Sequence, residues 1–490
     1  TTTGTTGTGT TGTGTTGTGT TPAPTPTPTP TPAPIPVPAE PTSPVRIGLG
    51  RFQTGATITA PGGIYVVADG VVQWQAPVGT PVQVSLSGNQ IQVAGVSKSF
   101  AGPVRLVPVL PATTTTSAGS TTYDPSVMPP GSTTPFVPPQ FAAPANYLSY
   151  NKVNYRDEID IVAVGTANGP RFSVVNEVNL EEYLLGVVPS ESPSGWPIEA
   201  LKAQAVASRT YARKHLGQYA DEGFDIVATD SSQVYRGLSA ETLSTNQAVA
   251  ATMGQVVTYN GQIISAFFFA SSGGHTENNE IIWTGGTPSP YLRGVEDYDN
   301  QPGNPNYSWH IPFSVDQFTA KVKAAGYNVG QVILAMASGD IGVSGRPSFW
   351  RIVGQTTSAV VSGNELRNIL GLKSSPFSID VQPGGTGPNL HTYASTDTVK
   401  VVGAGGTVTG RTVSGTKVLG ASGVATTVTT GVTTRGQDQT VAGGFTVNGG
   451  GNGHAIGMSQ WGAYGMALQG KTYVEILTHY YTGTKVEIVK

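Results

Sequence analysis

The alternation of apolar and polar residues predicts a β-rich region over residues 45–110. Short apolar runs typical of strands lie at 45–49, 63–67 and 71–74. Residues 81–86 alternate with period two and meet a second alternating run at 90–93 across Ser87-Gly88-Asn89. Two alternating runs joined by such a short polar turn predict a β-hairpin.

The helical period appears most clearly from Pro197 to about Leu216. Pro197 suits the first helical position, and the carboxylate of Glu199 suits the positive end of the helix dipole. Apolar residues recur on one face of this segment at Ile198, Leu201, Ala205, Ala212 and Leu216. We therefore predict one long amphipathic helix here.

The rest of the chain after residue 145 contains segments with the two-residue period of strands and segments with the period of helices. Strands are predicted at 159–162 and 172–175, and Asn260-Gly261 predicts a hairpin turn between 256–259 and a run at 263–269. The second of these runs is apolar on both faces, which favours a central strand. The remaining elements predicted are helices at 313–325 and 363–370, a helix from about Ser459, a helix at 473–481 and a strand at 485–489.

Low-complexity segments separate these parts. Residues 1–21 contain only Thr and Gly, and residues 22–39 are mainly Pro alternating with Thr or Ala. Such a stretch has almost nothing to bury, so we expect a disordered stalk, either a plain linker or an O-glycosylated one. The predicted organisation is a linker (1–44), a β-rich part (45–110), a Pro/Ser/Thr-rich loop (111–144), a core (145–390), a β insertion (391–435) and a C-terminal part of the core (436–490).

Charge and composition narrow the classes of partner. Charged residues make up 11% of the chain and the formal net charge is −3, without any run of Lys or Arg. Nucleic acid is therefore a poor candidate, because neutralising phosphates needs clustered cations, and an uncharged polymer such as a glycan fits better. The chain has no Cys, which excludes disulfides and thiolate metal sites.

Export is inferred from the first residue. The chain starts with Thr instead of Met, which indicates that an N-terminal piece, such as a signal peptide, has been removed. No run reaches the roughly 18 apolar residues of a membrane span. We expect an extracellular protein of the cell wall or cell surface.

Two segments carry the strongest functional signal. They read NLEEYLLGVVPSESP (179–193) followed by WPIEALKAQAVASRTYA (196–212), and GHAIGMSQWGA (453–463). Both resemble the signature blocks of the SpoIID/LytB domain family and occur in its order. Weaker similarity is present in DSSQVYRG (230–237), SSGGHTE (271–277) and GPVRLVP (102–108). The stalk, the 111–144 loop and the 391–435 insertion match poorly.

This resemblance implies an α+β fold with a SpoIID-like domain and one of two roles. SpoIID-like members are lytic transglycosylases that cut peptidoglycan glycan strands, and LytB-like members were described as enhancers of a cell-wall amidase. The resemblance places the catalytic Glu of the family at Glu191, in its Pro-Ser-Glu context.

The residues around Glu191 suit general acid catalysis. Cutting a glycosidic bond needs an acid for the leaving oxygen. A transglycosylase can omit the second carboxylate, because the C6 hydroxyl of the muramic acid attacks the anomeric carbon. Glu191 is expected in a loop bounded by Pro189 and Pro193, with apolar neighbours that raise its pKa. Without the family, Glu191 would more simply favour the positive end of the following helix.

Six further residues are candidates for substrate binding. His454 is either a donor or proton relay, or a solvated loop histidine, and the glycines beside it allow close approach of a ligand. Ser459 and Gln460 either bind sugar hydroxyls or cap the helix that starts there. Gln233, Tyr235 and His275 come from the weaker blocks.

Two positions depart from the family, with Asn452 where many members have Trp and Ala455 where many have Gly. This puts one sugar-stacking contact in doubt.

The sequence indicates no cofactor and no metal. His275 with Glu277 is too small a ligand set for zinc, and the zinc-binding members of the family use cysteines that this chain lacks. The function predicted is non-hydrolytic cleavage of MurNAc-GlcNAc strands to 1,6-anhydro products, in a groove with Glu191 on its floor and residues 453–460 along its wall. The alternatives are a non-catalytic amidase enhancer that binds peptidoglycan and a structural surface protein.

Overall fold

The computed structural model describes residues 35–110, 141, 143–387 and 439–489, with Gly7, Gly9 and six short strands between 390 and 435. Most of the predicted stalk and nearly all of the 111–144 loop lie outside the described residues. Helices and several sheets share the chain, so the predicted α+β class is confirmed. In the part of the chain described, no helix has both the length and the apolar character needed to cross a bilayer.

Twelve strands build the described part of the N-terminal region. They are β1 (Pro44–Gln53), β2 (Gly55–Thr59), β3 (Ile64–Ala68), β4 (Val71–Ala76), β5 (Val82–Ser87), β6 (Gln90–Val93), β7 (Ser99–Phe100), β8 (Val104–Pro108), β9 (Leu148–Tyr150), β10 (Val153–Tyr155), β11 (Glu158–Thr166) and β12 (Gly169–Asn179). The predicted hairpin is confirmed as β5 and β6, in which Ser87 pairs with Gln90. Alternate side chains of β5 are buried and exposed, as period two requires.

These strands form two sheets around one apolar core. One has seven strands in the order β13-β1-β12-β11-β8-β3-β4, where β13 is Ile226–Val227, and the other has six in the order β10-β9-β2-β5-β6-β7. Fully buried side chains from both sheets, such as Ile47, Ile58 and Leu106, meet in this core. Burial of such side chains contributes about 1.5–3 kcal/mol each.

Eight α-helices follow in the part of the chain that the structure describes. They are α1 (Leu180–Glu191), α2 (Ile198–Lys214), α3 (Leu243–Ala251), α4 (Asn279–Ile282), α5 (Val315–Ala324), α6 (Gly363–Leu370), α7 (Gln460–Leu468) and α8 (Tyr473–Tyr480). The long helix predicted from Pro197 is confirmed as α2, with Pro197 at the N-cap. The helices predicted near 313–325, 363–370, 459 and 473–481 are also present.

The loop predicted around Glu191 is wrong, because Glu191 is the last residue of α1. Pro189 lies inside the last turn of this helix, where its ring removes only one backbone donor. The Ser190 hydroxyl donates to the Gly186 carbonyl at 2.7 Å, one turn earlier in the helix. Burial of the face from Tyr183 to Val188 therefore outweighs the local cost of the proline.

The remaining strands are short or belong to small sheets. They are β14 (Gln255–Tyr259), β15 (Gln262–Ile263), β16 (Phe268–Phe269), β17 (Trp309–Phe313), β18 (Val332–Ile341), β19 (Pro347–Gly354), β20 (Ser358–Ser362), β21 (Phe377–Gly387), β22 (Leu390–Tyr393), β23 (Thr398–Val402), β24 (Val408–Thr412), β25 (Lys417–Leu419), β26 (Ala425–Thr427), β27 (Val432–Arg435), β28 (Gln439–Gly449), β29 (Met458–Ser459) and β30 (Lys485–Ile488). Strands β22 to β27, in the predicted insertion, form three antiparallel pairs, which are β22 with β27, β23 with β24 and β25 with β26.

The central strand predicted at 263–269 is also wrong. The chain splits into β15, which pairs antiparallel with β14, and β16, which pairs parallel with β29. Between them the Ser265 amide donates to the Tyr291 hydroxyl at 3.3 Å instead of to a neighbouring strand. The apolar run is buried in a helix-rich core instead of a sheet, and periodicity alone does not separate these two cases.

The C-terminal segment returns to the middle of the chain. Strand β28 pairs with β17 and β21, β29 pairs with β16, and β30 pairs with β14. Helices α7 and α8 pack against α2. This return brings residues near 460 next to the end of α1.

Candidate active site

The start of α1 is fixed by a cap and an ion pair. The Asn179 side chain accepts from the Glu181 amide at 2.9 Å, which satisfies one free donor of the first turn. Glu181 accepts two hydrogen bonds from the fully buried guanidinium of Arg209 on α2, at 2.8 and 2.6 Å. This bidentate contact joins α1 to α2 and so fixes where Glu191 emerges.

Glu191 is half-buried at the C-terminal end of α1, and both carboxylate oxygens have a partner. The Val234 amide donates to Oε1 at 2.6 Å. The Gln460 side-chain amide donates to Oε2 at 3.3 Å. Two donors from distant parts of the chain therefore hold the carboxyl group in one orientation.

Burial raises the pKa of Glu191 above its ordinary value, and the negative charge of Asp230 adds to this effect. The donors Val234 and Gln460 and the positive charge of Arg236 act in the opposite direction. Because burial outweighs them, the acid form of Glu191 persists to higher pH than that of an exposed Glu. The sequence predicted an apolar environment for this residue, and the structure assigns the raised pKa to burial.

A series of hydrogen-bonded, buried polar side chains extends from Gln460, and it was not predicted from the sequence. The Gln460 amide also donates to Gln204 Oε1 at 3.3 Å, and the Ser192 hydroxyl donates to the same oxygen. Gln204 in turn donates to the Ser208 hydroxyl at 3.0 Å. The available signal was the pair of polar residues at Gln204 and Ser208, four apart on the otherwise Ala-rich helix α2, which places them on one face.

Gln233 and Tyr235 flank the residue that binds Glu191, but their own polar atoms are bonded inside the protein. Gln233 is fully buried and accepts from the Tyr183 hydroxyl at 3.2 Å. The Tyr235 hydroxyl donates to Asn176 at 2.9 Å, and its ring packs against Tyr183 at 4.9 Å between centroids. These contacts hold Val234 against Glu191, and contact of Gln233 or Tyr235 with substrate stays a prediction.

Ser459 and Gln460 have different surroundings. Ser459 is fully buried at the N-cap of α7, where its hydroxyl accepts from the Gly462 amide at 3.1 Å. Its role in the structure is the capping alternative that the sequence left open. Gln460 is the member of this pair that the structure places beside Glu191.

His454 lies among aromatic rings. Its ring centroid is 5.3 Å from Phe269 and 5.9 Å from Trp283, and Nδ1 accepts from the Ile456 amide. Burial, with a smaller contribution from the charge of Arg367, lowers the pKa of His454 to about 4. The ring is therefore neutral near pH 7 and half-buried among aromatic side chains, and its contact with substrate stays a prediction.

The histidine of the weaker block, His275, is half-buried and contacts the Thr276 carbonyl through Nδ1 at 2.6 Å. Glu277 is fully buried and accepts from the amides of Val343 and Ser344, so its carboxylate points toward that turn. Among the described residues, neither His275 nor Glu277 belongs to a group of three potential metal ligands. One such group, Glu158, Asp160 and Glu177, lies in the seven-stranded sheet.

Three half-buried aromatic residues lie close in sequence to Glu191 or Gln460, and of these Trp196 is among the apolar neighbours that the sequence predicted around Glu191. Trp196 follows Glu191 by five residues, while Trp461 and Tyr464 lie on α7 just after Gln460. Their ring centroids are 5.1–5.4 Å apart. A Trp and a Tyr within five residues of Gln460 were the signal for this cluster.

Comparison with known proteins finds similarity over this part of the chain. The profile of the SpoIID family, described as "Stage II sporulation protein", matches residues 168–259, which contain Glu191, Gln204 and Val234. The chain is 30% identical to stage II sporulation protein D of Bacillus subtilis over 338 residues, which cover 64% of this chain and 75% of that protein.

Two other relatives have comparable identity. An uncharacterized protein of Brachyspira hyodysenteriae is 33% identical over 315 residues, covering 64% of this chain and 68% of that protein. A Bacillus subtilis protein named amidase enhancer is 30% identical over 314 residues, covering 61% of this chain and 40% of that protein.

Proposed function

Because the chain belongs to the stage II sporulation protein D family, we propose that it acts on the glycan strands of peptidoglycan as a lytic transglycosylase. The observation that carries this proposal is Glu191. It is a half-buried carboxyl group with a raised pKa, held by donors from two other segments of the chain. Such a group suits proton transfer to a leaving oxygen near neutral pH.

The hydrogen bonds around Glu191 suggest which oxygen carries the proton. Oε1 accepts the Val234 amide proton at 2.6 Å, so it acts as the carbonyl oxygen of the acid form. Oε2, with the longer 3.3 Å contact to Gln460, then carries the exchangeable proton. In the first step Oε2 gives this proton to the glycosidic oxygen as the bond to the anomeric carbon of MurNAc breaks.

In the second step Glu191 acts as the base. Its carboxylate takes the proton of the C6 hydroxyl of the same MurNAc, and the C6 oxygen bonds to the anomeric carbon. The products are a strand with a new GlcNAc hydroxyl and a strand with a 1,6-anhydro end. One carboxyl group serves both steps because it is returned to its acid form.

The direct test compares the wild type with Glu191→Gln on glycan strands stripped of their peptides. The Gln side chain keeps the size and the contact with Val234 but cannot deliver a proton. We expect cleavage to slow by roughly a hundredfold or more. Gln382→Leu, a change of an exposed side chain of β21, is the control that should cleave at the wild-type rate.

A second candidate function is amidase enhancement, which the name of one relative supports. This function needs a surface for a cell-wall amidase but no acidic Glu191. The purified wild type and Glu191→Gln proteins would then raise the activity of a partner amidase equally, and neither would cleave glycan. In either case we propose that the protein acts outside the cytoplasm, at the cell wall.

A further inference from the structure

Trp196, Trp461 and Tyr464 form a cluster of three mutually contacting rings. The two indole ring centroids are 5.2 Å apart with an interplanar angle of 62°, and the Tyr464 ring centroid lies 5.1 and 5.4 Å from them. All three side chains keep part of their surface exposed. Aromatic rings with exposed faces in such an arrangement present an apolar surface with polar edges.

Packing in a hydrophobic core does not account for the positions of these three rings. Trp74, Trp283, Trp309 and Trp350 each belong to or pack against one of the hydrophobic cores. Trp196 and Trp461 are the two of the six tryptophans that do not join a core in the described part of the chain, and Tyr464 does not join one either.

The polar groups at the edges of these rings have no hydrogen-bond partner in the described part of the chain. Among the described residues, no protein acceptor is hydrogen-bonded to the indole N–H of Trp196 or Trp461, and the Tyr464 hydroxyl has no protein partner. The half-buried Trp309 differs, because its indole N–H donates to the Gly451 carbonyl at 2.9 Å. The cluster therefore offers three hydrogen-bonding groups to a ligand.

The position of the cluster relates it to Glu191. Gln460, which contacts the Glu191 carboxylate, and Tyr464 are four residues apart on α7 and so lie on the same helix face, about 5–6 Å apart at Cβ. Trp196 lies in the turn that follows α1, where its backbone amide donates to the Pro193 carbonyl. Tyr464 thus lies one helical turn from Gln460, the residue that contacts the acid.

We propose that Trp196, Trp461 and Tyr464 form a sugar-binding subsite for an N-acetylhexosamine ring of the glycan strand, next to the bond that Glu191 cleaves. This subsite rests on the proposed function for its substrate class. The C–H groups on one face of a pyranose ring match the exposed aromatic faces. The free indole N–H and hydroxyl groups match sugar hydroxyl and acetamido oxygens at the ring edge.

Binding measured without cleavage tests the subsite. The probe is short denuded glycan strands, titrated by calorimetry into the full chain carrying Glu191→Gln. Adding Trp461→Leu should weaken binding about tenfold, the equivalent of about 1.4 kcal/mol, and adding Tyr464→Ser should also weaken it. Trp461→Phe, which keeps an aromatic face, should recover most of the affinity.

The matched control is Trp74→Leu, a half-buried tryptophan of β4 that packs on the N-terminal core. Its affinity for the glycan should stay unchanged. Equal affinity of the Trp461→Leu, Tyr464→Ser and control proteins overturns the subsite, as does absence of glycan binding in the Glu191→Gln parent. If the subsite holds but the wild type cleaves nothing, the proposed catalysis fails and this binding site stands.

Discussion

At the residue scale, the properties of Glu191 depend on residues that are distant in sequence. Val234 is 43 positions away and Gln460 is 269 positions away, and both donate to the same carboxyl group. Local sequence therefore pointed to the candidate acid but not to the groups that orient it. Glycan contacts through His454, Gln460 and His275 stay predictions, and the buried Ser459, Gln233 and Tyr235 act as supports in this structure.

Gln460→Leu tests whether Gln460 tunes the acid. The Gln460 amide stabilises the charged form of Glu191 and so lowers its pKa. Without that donor the pKa rises further, and the acid form persists to higher pH. We expect the alkaline limb of the kcat/KM profile to move to higher pH. An unmoved limb, or one that moves to lower pH, would show that this hydrogen bond does not set the acidity.

At the element scale, α1 is positioned by close packing at Gly186. A Cβ placed there would lie 2.6 Å from the Tyr235 ring and 3.0 Å from the Gly237 carbonyl oxygen. Tyr235 cannot easily move, since Asn176 holds its hydroxyl and Tyr155 and Tyr183 contact its ring. A glycine inside a helix is thus explained by the approach of the segment that binds Glu191.

Gly186→Ala should therefore destabilise the protein although Ala favours helices. The gain in helix propensity is about 1 kcal/mol, and overpacking costs about 1–3 kcal/mol. We expect a lower free energy of unfolding in urea and slower glycan cleavage, because a shifted Tyr235 moves Val234. Gly195→Ala is the matched control, since a Cβ placed at Gly195 would meet no other atom within 4 Å. A stabilised Gly186→Ala protein would contradict the packing account.

Another element-scale feature is an ionic network across β1, β12, β11 and β8. Three carboxylates, Glu158, Asp160 and Glu177, lie within 4.8 Å of one another, and in the described part of the chain they form ion pairs with two guanidinium groups, those of Arg46 and Arg105. Burial raises the pKa of Glu158 to about 7 against the effect of Arg105. Burial, and then the charges of Glu158 and Glu177, raises the pKa of Asp160 well above its ordinary value.

This network predicts that folding stability falls as pH rises. A carboxyl group with a raised pKa in the folded state binds more protons folded than unfolded, here between about 4.5 and about 7 for Glu158. The free energy of unfolding should therefore decrease across this window. Asp160→Asn, which removes one titrating carboxylate, should flatten the decrease, and the exposed Asp340→Asn should leave it unchanged. A wild type whose stability rises steadily from pH 5 to pH 7 would contradict this account.

At the scale of the whole molecule, the candidate active site is assembled by the return of the C-terminal segment to α1 and α2. The sequence predicted most elements of both halves, because strong periodicity marks α2, α7, α8 and the N-terminal strands. The sequence did not predict α1, because Pro189 and Pro193 suggested a loop. It predicted one strand in place of β15 and β16, because an apolar run does not reveal which strands it pairs with. The contacts of Gln204 and Gln460 with each other depend on tertiary packing that no local pattern encodes.

Residues 1–34 should contribute little to the stability of the folded body. They consist only of Thr, Gly, Pro and Ala, without charge or a large apolar side chain. Their deletion should change the melting temperature by no more than about a degree, since changes away from packed features rarely exceed about 0.5 kcal/mol. A melting temperature lower by several degrees would show that this segment packs on the body.

The central claim is that Glu191 catalyses cleavage without water, and the masses of the products test it most directly. Denuded glycan strands incubated with the purified wild type should yield fragments with 1,6-anhydro ends, each one water lighter than the product of hydrolysis. Glu191→Gln should yield them at a rate lower by roughly a hundredfold or more. Equal rates for the two proteins, products of hydrolytic mass, or no cleavage by the wild type would contradict the account.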